Sequence, residues 1–284
     1  MAERQVFASA FARLDCYRSG GQKWGGIVDL KSILEHKWRN FVLSCEDKIL
    51  TVQLNTEGFE RNDFNGAVIA ELAELAVLLH RNIEFNVVLL CGRADVFSAG
   101  SDPQDFRSRF SAPTLLERRR DVMPGADMIE AWSKIEAITI AAIDGRCRGA
   151  ACVLSIVCDF RIMGEGVEFF FPEVPNGMIL GWGAIPRLTA LVGPSRCKQM
   201  VMFGDAIDAK TSADWGLADE IAPAGEALAV GKRWAQKVAQ LPALAVRMTK
   251  ESVDTHSTAL QAMSATADRN RYLLAGQVRV GLMS

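Results

Sequence analysis

One carboxylate in an apolar stretch is the feature of this sequence that most suggests chemistry. The segment FFFPEVPNGMILGWG (169–183) places Glu173 directly after three phenylalanines and a proline. Apolar surroundings disfavour the charged form of a carboxyl group, so a buried Glu173 is expected to have a raised pKa. A carboxyl group whose pKa lies nearer to neutrality can take up and release protons as a general acid or base. The alternative is a glutamate at the end of a strand, facing water.

Two loops have the residue types needed to stabilise a negative charge with backbone N–H groups. In DVFSAGSDPQDF (95–106), Gly100 allows a sharp turn, and a helix is predicted to begin near Ser101. IDGRCRGAACVL (143–154) repeats this pattern, with a helix predicted to begin at Ala150. Free N–H groups at two neighbouring helix starts can converge on one oxygen, as an oxyanion hole requires. Each loop taken alone is equally typical of an ordinary turn between a strand and a helix.

Composition excludes several other classes of function. The 284 residues carry a formal net charge of −2, which does not favour binding to nucleic acid or to an anionic membrane. The seven cysteines form no CxxC pair and the three histidines form no HExxH motif, so neither a metal site nor a disulfide framework is expected. No apolar run is long enough to span a membrane, and residues 1–20 lack the apolar segment of a secretory signal, so secretion is not expected. A cytoplasmic protein is predicted, with an organellar transit segment as the alternative.

Strand-like and helix-like segments alternate along the first two thirds of the chain. Residues 1–45 show no clear period and are interpreted as an extension, and the chain after residue 183 is mostly helical in pattern. Between them, three units of strand followed by helix predict an α/β fold with crossover connections. The strand-like runs are 48–54, 86–92, 138–145, 159–163 and 168–173, and the main helical patterns are 66–80 and 150–158.

Four segments in this order resemble the crotonase superfamily, also called the enoyl-CoA hydratase/isomerase family. They are VVLLCGRADVFSAGSD, ITIAAIDGRCRGAACVLSIVCDFRI, FFFPEVPNGMILGWGAIPRLTALVG and MFGDAIDAKTSADWGLADEI. The resemblance implies a crotonase-like ββα superhelix with a C-terminal helical region. It divides the chain into an N-terminal extension (1–46), a core (47–222) and a C-terminal helical region (223–284) that mediates oligomerisation. A homotrimer, or a hexamer built as a dimer of trimers, is the expected assembly.

The resemblance also implies a substrate and a set of site residues. The substrate is an acyl-CoA thioester, with coenzyme A as part of the substrate and no separate cofactor. The catalytic glutamate corresponds to Glu173, and the two oxyanion donors are the backbone N–H groups of Ser101 and Ala150. Asp102 is interpreted first as a helix N-cap and only second as a site residue. The predicted substrate-binding residues are Phe64, Ala99, Gly100, Asp102 and Gly149.

The chain departs from the family pattern at Val153, where hydratases of the family carry a second glutamate. Hydration needs groups that activate water and deliver a proton, whereas isomerisation of a double bond needs one carboxylate that moves a proton between carbons. The sequence therefore favours an enoyl-CoA isomerase. A hydratase, an acyl-CoA hydrolase, a C–C lyase or synthase, and a non-catalytic CoA-ester-binding or scaffold protein remain alternatives.

Three further residues near the predicted site stay ambiguous. Arg146 and Arg148 flank the second oxyanion segment and could hold a substrate carboxylate, or contact phosphate, a neighbouring subunit or solvent. Trp182 is interpreted as an aromatic residue of the core or one that packs on a helix.

Overall fold

A computed structural model describes residues 28–258, so most of the predicted extension (1–46) and the end of the predicted C-terminal helical region (223–284) lie outside the described residues. The helices are α1 Leu30–Glu35, α2 Gly66–Leu79, α3 Pro103–Phe110, α4 Leu115–Trp132, α5 Ala150–Val157, α6 Ala184–Val192, α7 Pro194–Lys198, α8 Ala209–Asp214, α9 Ala227–Ala239 and α10 Ala243–Thr258, with a π-helical turn at Gln199–Phe203. The strands are β1 Phe41–Glu46, β2 Ile49–Leu54, β3 Val87–Cys91, β4 Val96–Ser98, β5 Ile138–Ile143, β6 Arg146–Arg148, β7 Phe160–Gly164, β8 Glu168–Phe170, β9 Ile207–Asp208 and β10 Glu220–Ala222.

The strands form two sheets, and from β3 to β8 successive strands alternate between them. The larger sheet has the order β1-β2-β3-β5-β7-β10 and is parallel except for the β1–β2 pair. The smaller sheet has the order β4-β6-β8-β9 and is parallel except for the β8–β9 pair. Three times, a strand of the larger sheet is followed by a strand of the smaller sheet and then by helix. This repeat is the predicted ββα superhelix.

The central strands β3 and β5 are continuous apolar runs because helices cover both of their faces. Every residue of both strands is buried. Alternate side chains point to opposite sides of the sheet. Val88 and Leu90 of β3 join the larger core with α2 and α4, whereas Leu89 packs with α9 residues such as Val230. The elements that hold the site loops are therefore anchored in a core on both sides.

The first strand was not predicted, because it looks unlike the central strands. Residues 41–46 fall within the predicted extension, yet they pair with β2 as the antiparallel edge of the larger sheet. Only alternate side chains of this strand are shielded from solvent, so its sequence FVLSCE has no continuous apolar run. This segment is thus part of the main sheet.

Helix α3 begins at Pro103, close to the helix start predicted near Ser101, whereas α4 follows in a region that shows no clear helical pattern. Asp102 caps α3, and Thr114 and Glu117 form a capping box at the start of α4. Pro124 and Gly125 lie inside α4, and both residues disfavour a helix interior. The presence of these two residues explains why the sequence of α4 does not show a clear helical pattern.

Candidate active site

A cavity of about 380 Å³ lies where the loops after β4, β6 and β8 meet. Its lining combines six predicted site residues with an apolar wall. The predicted residues in the lining are Ala99, Gly100, Ser101, Gly149, Ala150 and Glu173.

The first loop is held by backbone hydrogen bonds to the segment before α2. Phe64 N donates to Gly100 O at 2.7 Å, and Asp102 N donates to Phe64 O at 2.9 Å. These bonds involve the residues before and after Ser101. The N–H group of Ser101 itself donates no hydrogen bond within residues 28–258. Ser101 therefore presents an unpaired donor where its side of the loop lines the cavity.

Two of the predicted binding residues, Phe64 and Asp102, stabilise the fold and do not line the cavity. The Phe64 side chain is buried in the larger core, and only its backbone contacts the first loop. The Asp102 carboxylate accepts hydrogen bonds from Gln104 N and Asp105 N, as predicted for an N-cap. Neither side chain lines the cavity.

The second loop brings another backbone N–H group to the same place. Ala150 is the first residue of α5, so its N–H has no partner within the helix. Gly149, with φ +49°, anchors the loop by donating its N–H to Phe170 O at 2.9 Å. A Cβ atom at Gly100 would lie 3.5 Å from Ala150 N and 2.5 Å from Arg148 O. The two loops are thus in contact at Gly100, because a side chain at this position would clash with the backbone of the second loop.

Glu173 directs its carboxyl group into this cavity and away from solvent. Its Oε2 atom is inaccessible to solvent and accepts no hydrogen bond from the described residues. A Cβ atom at Gly149 would lie 3.3 Å from Oε1, so the carboxyl borders the second loop. Burial raises the pKa of Glu173 to about 7, and the hydrogen bond from its own backbone N–H opposes this only in part. The predicted rise in pKa is confirmed, and the alternative of a glutamate facing water is wrong.

The rest of the lining is mostly apolar. Val153 of α5 lines the cavity, and Glu173 is the only carboxylate among the lining residues that the structure describes. The apolar wall also includes Phe106, Met178, Leu180 and Trp182. Such a surface excludes water and favours a hydrocarbon ligand.

The structure separates the two arginines that the sequence left ambiguous. Arg148 lines the cavity, and its guanidinium carbon lies 4.9 Å from the centre of the Phe170 ring. Arg146 is exposed and is not part of the lining. The buried thiols of Cys147 and Cys152 pack 3.6 Å apart beneath the second loop and do not line the cavity.

Trp182 is the residue of the site that sequence reasoning missed. It was assigned to the core or to helix packing, and it does pack on α4, but it is only half-buried and it also lines the cavity. No local sequence signal marks this role, because it depends on a contact with α4 across the fold.

Among residues 28–258, no cluster of three or more His, Cys, Asp or Glu side chains is arranged to hold a metal ion. Within the same range, none of the helices combines the length and the apolar character needed to cross a membrane.

Comparison with known proteins gives consistent matches across most of the chain. A family described as "Enoyl-CoA hydratase/isomerase" matches residues 45–276. The 2,3-dehydroadipyl-CoA hydratase of Escherichia coli K12 is 28% identical over 244 residues, covering 81% of this chain and 92% of that protein. A probable enoyl-CoA hydratase of Mycolicibacterium paratuberculosis K-10 is 31% identical over 214 residues, covering 75% of this chain and 81% of that protein.

Solved structures show the same fold. An enoyl-CoA hydratase/isomerase from Mycobacterium paratuberculosis superposes with a TM-score of 0.77 at 20% identity, covering 84% of this chain and 94% of that one. An enoyl-CoA hydratase from Bacillus anthracis superposes with a TM-score of 0.70 at 25% identity, covering 81% of this chain and 90% of that one. With the matched residues and the site geometry, these findings show that the chain is an acyl-CoA enzyme of the enoyl-CoA hydratase/isomerase family, within the crotonase superfamily.

Proposed function

We propose that this protein is an enoyl-CoA double-bond isomerase in which Glu173 alone carries the proton. The observation that supports this most directly is that Glu173 is the only carboxylate lining the cavity in the described part of the chain. Its pKa of about 7 lets it accept and return a proton near neutral pH. One such group is sufficient for an isomerisation, because the reaction moves a proton within the substrate and adds no atoms to it.

The reaction proceeds through an enolate of the thioester. The ionised Glu173 carboxylate removes a proton from C2, and the electrons of that C–H bond form the enolate. The N–H groups of Ser101 and Ala150 donate to the enolate oxygen, and each such donor typically contributes about 3–4 kcal/mol to the transition state. The protonated carboxyl then delivers the proton to C4, and the double bond moves from C3=C4 to C2=C3. Water takes no part in this reaction, in keeping with the apolar wall of the cavity.

A hydratase is the second candidate because of the names of the relatives. The E. coli relative is named a 2,3-dehydroadipyl-CoA hydratase, and the M. paratuberculosis relative a probable enoyl-CoA hydratase. Val153 argues against efficient hydration here, because valine can neither activate water nor donate a proton. We therefore rank isomerisation first.

The direct test supplies 3-enoyl-CoA and 2-enoyl-CoA esters separately and identifies the products by mass spectrometry. An isomerase converts the 3-enoyl ester to the 2-enoyl ester without change of mass. Formation of a 3-hydroxyacyl ester from the 2-enoyl substrate, with no isomerisation, would instead establish a hydratase. Free CoA or a shortened acyl chain would identify a hydrolase or a C–C lyase. Absence of turnover across the series, with the esters bound, would favour the non-catalytic role.

We further propose that the enzyme is a cytoplasmic homotrimer, or a dimer of trimers, assembled through its C-terminal helical region. The exposed apolar side chains of α10 support this, since Leu244, Met248 and Val253 are 72%, 60% and 60% exposed in the single chain. Sedimentation velocity would test the assembly. A monomer at micromolar concentration would contradict it.

A further inference from the structure

Trp182 adopts a backbone conformation that a bulky residue rarely takes. Its φ is +59°, in the left-handed region that favours glycine. Residues held in such conformations cluster at ligand sites, where the surrounding structure fixes them. Trp182 lies in the segment that follows Glu173, and its side chain lines the same cavity. The unusual backbone therefore directs a large aromatic side chain to the site.

The indole of Trp182 packs against helix α4 at Gly125, where there is no side chain. A Cβ atom at Gly125 would lie 2.1 Å from Cε2, 2.3 Å from Cζ2 and 2.4 Å from Nε1 of Trp182. No side chain can occupy position 125 while the indole stays where it is. Glycine is otherwise unfavourable inside a helix, so its presence here fits the need to seat this ring.

We propose that Trp182 is a specificity-determining residue, whose indole, seated on Gly125, forms the wall that limits the length of the acyl chain. The neighbouring lining residues Phe106, Met178 and Leu180 are apolar, so the ligand beside the indole is hydrocarbon. This inference rests on the proposed function in one respect only, namely that the cavity holds the acyl part of a CoA ester.

The first experiment compares wild type with Trp182→Ala across a series of saturated acyl-CoA esters of increasing chain length. Saturated esters have no double bond to move, so calorimetry gives their Kd independently of chemistry. We expect wild-type affinity to stop rising at a chain length beyond which the variant continues to gain. Each additional methylene that a pocket accommodates is worth roughly 10-fold or more in discrimination. The ratio of the two affinities should therefore grow with chain length by about that factor per methylene.

The control for loss of a tryptophan is Trp215→Ala. Trp215 is also half-buried, but it packs against Arg196 and does not line the cavity. This variant should keep the wild-type chain-length profile. If Trp182→Ala does not fold, Trp182→Leu makes the same comparison with a smaller change of volume.

Gly125→Ala supplies a second and opposite test. Its methyl group would push the indole off α4 and into the cavity, so the profile should shift toward shorter chains. In the Trp182→Ala background the added methyl group meets no indole, and Gly125→Ala should leave the profile unchanged. Such coupling is expected only of residues in contact. Equal effects of Gly125→Ala in both backgrounds would overturn the proposal.

The outcomes separate this inference from the proposed function. A shifted binding profile without any isomerase activity would overturn only the isomerase assignment. Identical profiles for wild type and Trp182→Ala would overturn only the role of Trp182. If no ester binds to either protein, both proposals fail.

Discussion

At the scale of single residues, Glu173 acquires its expected reactivity from its surroundings. A glutamate in water has a pKa near its ordinary value of 4.5 and is a weak base at neutral pH. Here the carboxyl group is enclosed by the apolar cavity and the second loop, and burial raises its pKa to about 7. It matters equally that no second carboxylate lines the cavity among residues 28–258, because a nearby anion would share the work of proton transfer.

Replacing Glu173 with glutamine should abolish most of the isomerase activity while preserving the fold. The amide keeps the size of the carboxyl group but cannot accept the C2 proton, and loss of a positioned acid or base typically costs about 10²–10⁴ in rate. The measurement is kcat/KM for a 3-enoyl-CoA ester, with circular dichroism to check folding. Glu168→Gln is the matched control, because Glu168 is exposed on β8 and should leave the rate unchanged. A fully active Glu173→Gln variant would contradict the mechanism.

The pH dependence of the rate should report the ionisation of Glu173. Only the ionised carboxylate can remove the C2 proton, so kcat/KM should rise with pH and level off above the pKa of about 7. A carboxyl group with an ordinary pKa would give a plateau already from about pH 5.5 upward. The full profile from pH 5 to 9 distinguishes the two. A flat profile between pH 6 and 8 would show that Glu173 is not the titrating base, or that its environment differs from the one described here.

At the scale of elements, the two loops depend on glycines that let them approach each other and the carboxylate. Gly149 has φ +49°, and a Cβ atom there would lie 3.3 Å from Glu173 Oε1. Its ψ of −115° lies outside the αL region, and a non-glycine residue held in such a sparsely populated conformation costs on the order of 1–3 kcal/mol. Gly149→Ala should therefore lower the stability by about that amount and also displace the carboxyl group or the adjoining Ala150 N–H, which lowers kcat.

Gly166→Ala is the matched control for Gly149→Ala. Gly166 lies in the turn between β7 and β8 with φ +81°, but a Cβ atom there would meet nothing within 4 Å. Both variants should lose stability in thermal unfolding, while only Gly149→Ala loses activity on 3-enoyl-CoA. Equal activity in both variants would separate the second loop from catalysis.

Helix α5 determines whether water can be activated in the cavity. Val153→Glu places a second carboxyl group at the position where the family's hydratases carry one. We expect the ratio of 3-hydroxyacyl product to isomerised product to rise at least severalfold, since a positioned acid or base is typically worth about 10²–10⁴ in rate. Val153→Gln introduces a side chain of similar size without a titrating group and should not raise this ratio. Because Val153 is only 2% exposed, both variants should unfold at lower temperature than wild type. An unchanged ratio in a folded Val153→Glu variant would show that the missing glutamate is not what limits hydration.

The accuracy of the sequence-based prediction differed among elements for a physical reason. Strands β3 and β5 are buried on both faces, so their continuous apolar runs are visible in the sequence. The edge strand β1 and the helix α4, with its internal Pro124, lack such a pattern and were missed. At the site, Glu173 was predicted because its apolar neighbours and the motif that resembles the family lie in one continuous segment. The role of Trp182 was not, because the contact with Gly125 joins residues far apart in the chain.

At the scale of the whole molecule, the buried carboxyl group links function to stability. The surrounding elements enclose Glu173 in a site that favours its neutral form, and folding holds it there. Ionisation of the Glu173 carboxyl group near pH 7 therefore lowers the free energy of unfolding, because the charged form is less stable in the folded protein than in water. Stability, measured as a function of pH, can detect this independently of any substrate.

Wild type should lose stability relative to Glu173→Gln as pH rises. The pKa of Glu173 is raised on folding from its ordinary value of 4.5 to about 7, so between these values the folded state holds more protons than the unfolded state. Its contribution is therefore fully present below about pH 4.5 and is lost as pH rises through about 7. At 1.36 kcal/mol per pKa unit, the total is on the order of 3 kcal/mol. Other buried carboxyl groups with raised pKa values, such as Asp144, are present in both proteins, and their contributions cancel in the difference. Urea unfolding of the two proteins at equal concentration, at pH 5, 6, 7 and 8, gives this difference directly. A difference that stays constant across the series would mean that the Glu173 carboxyl group is as well solvated in the folded protein as in the unfolded chain.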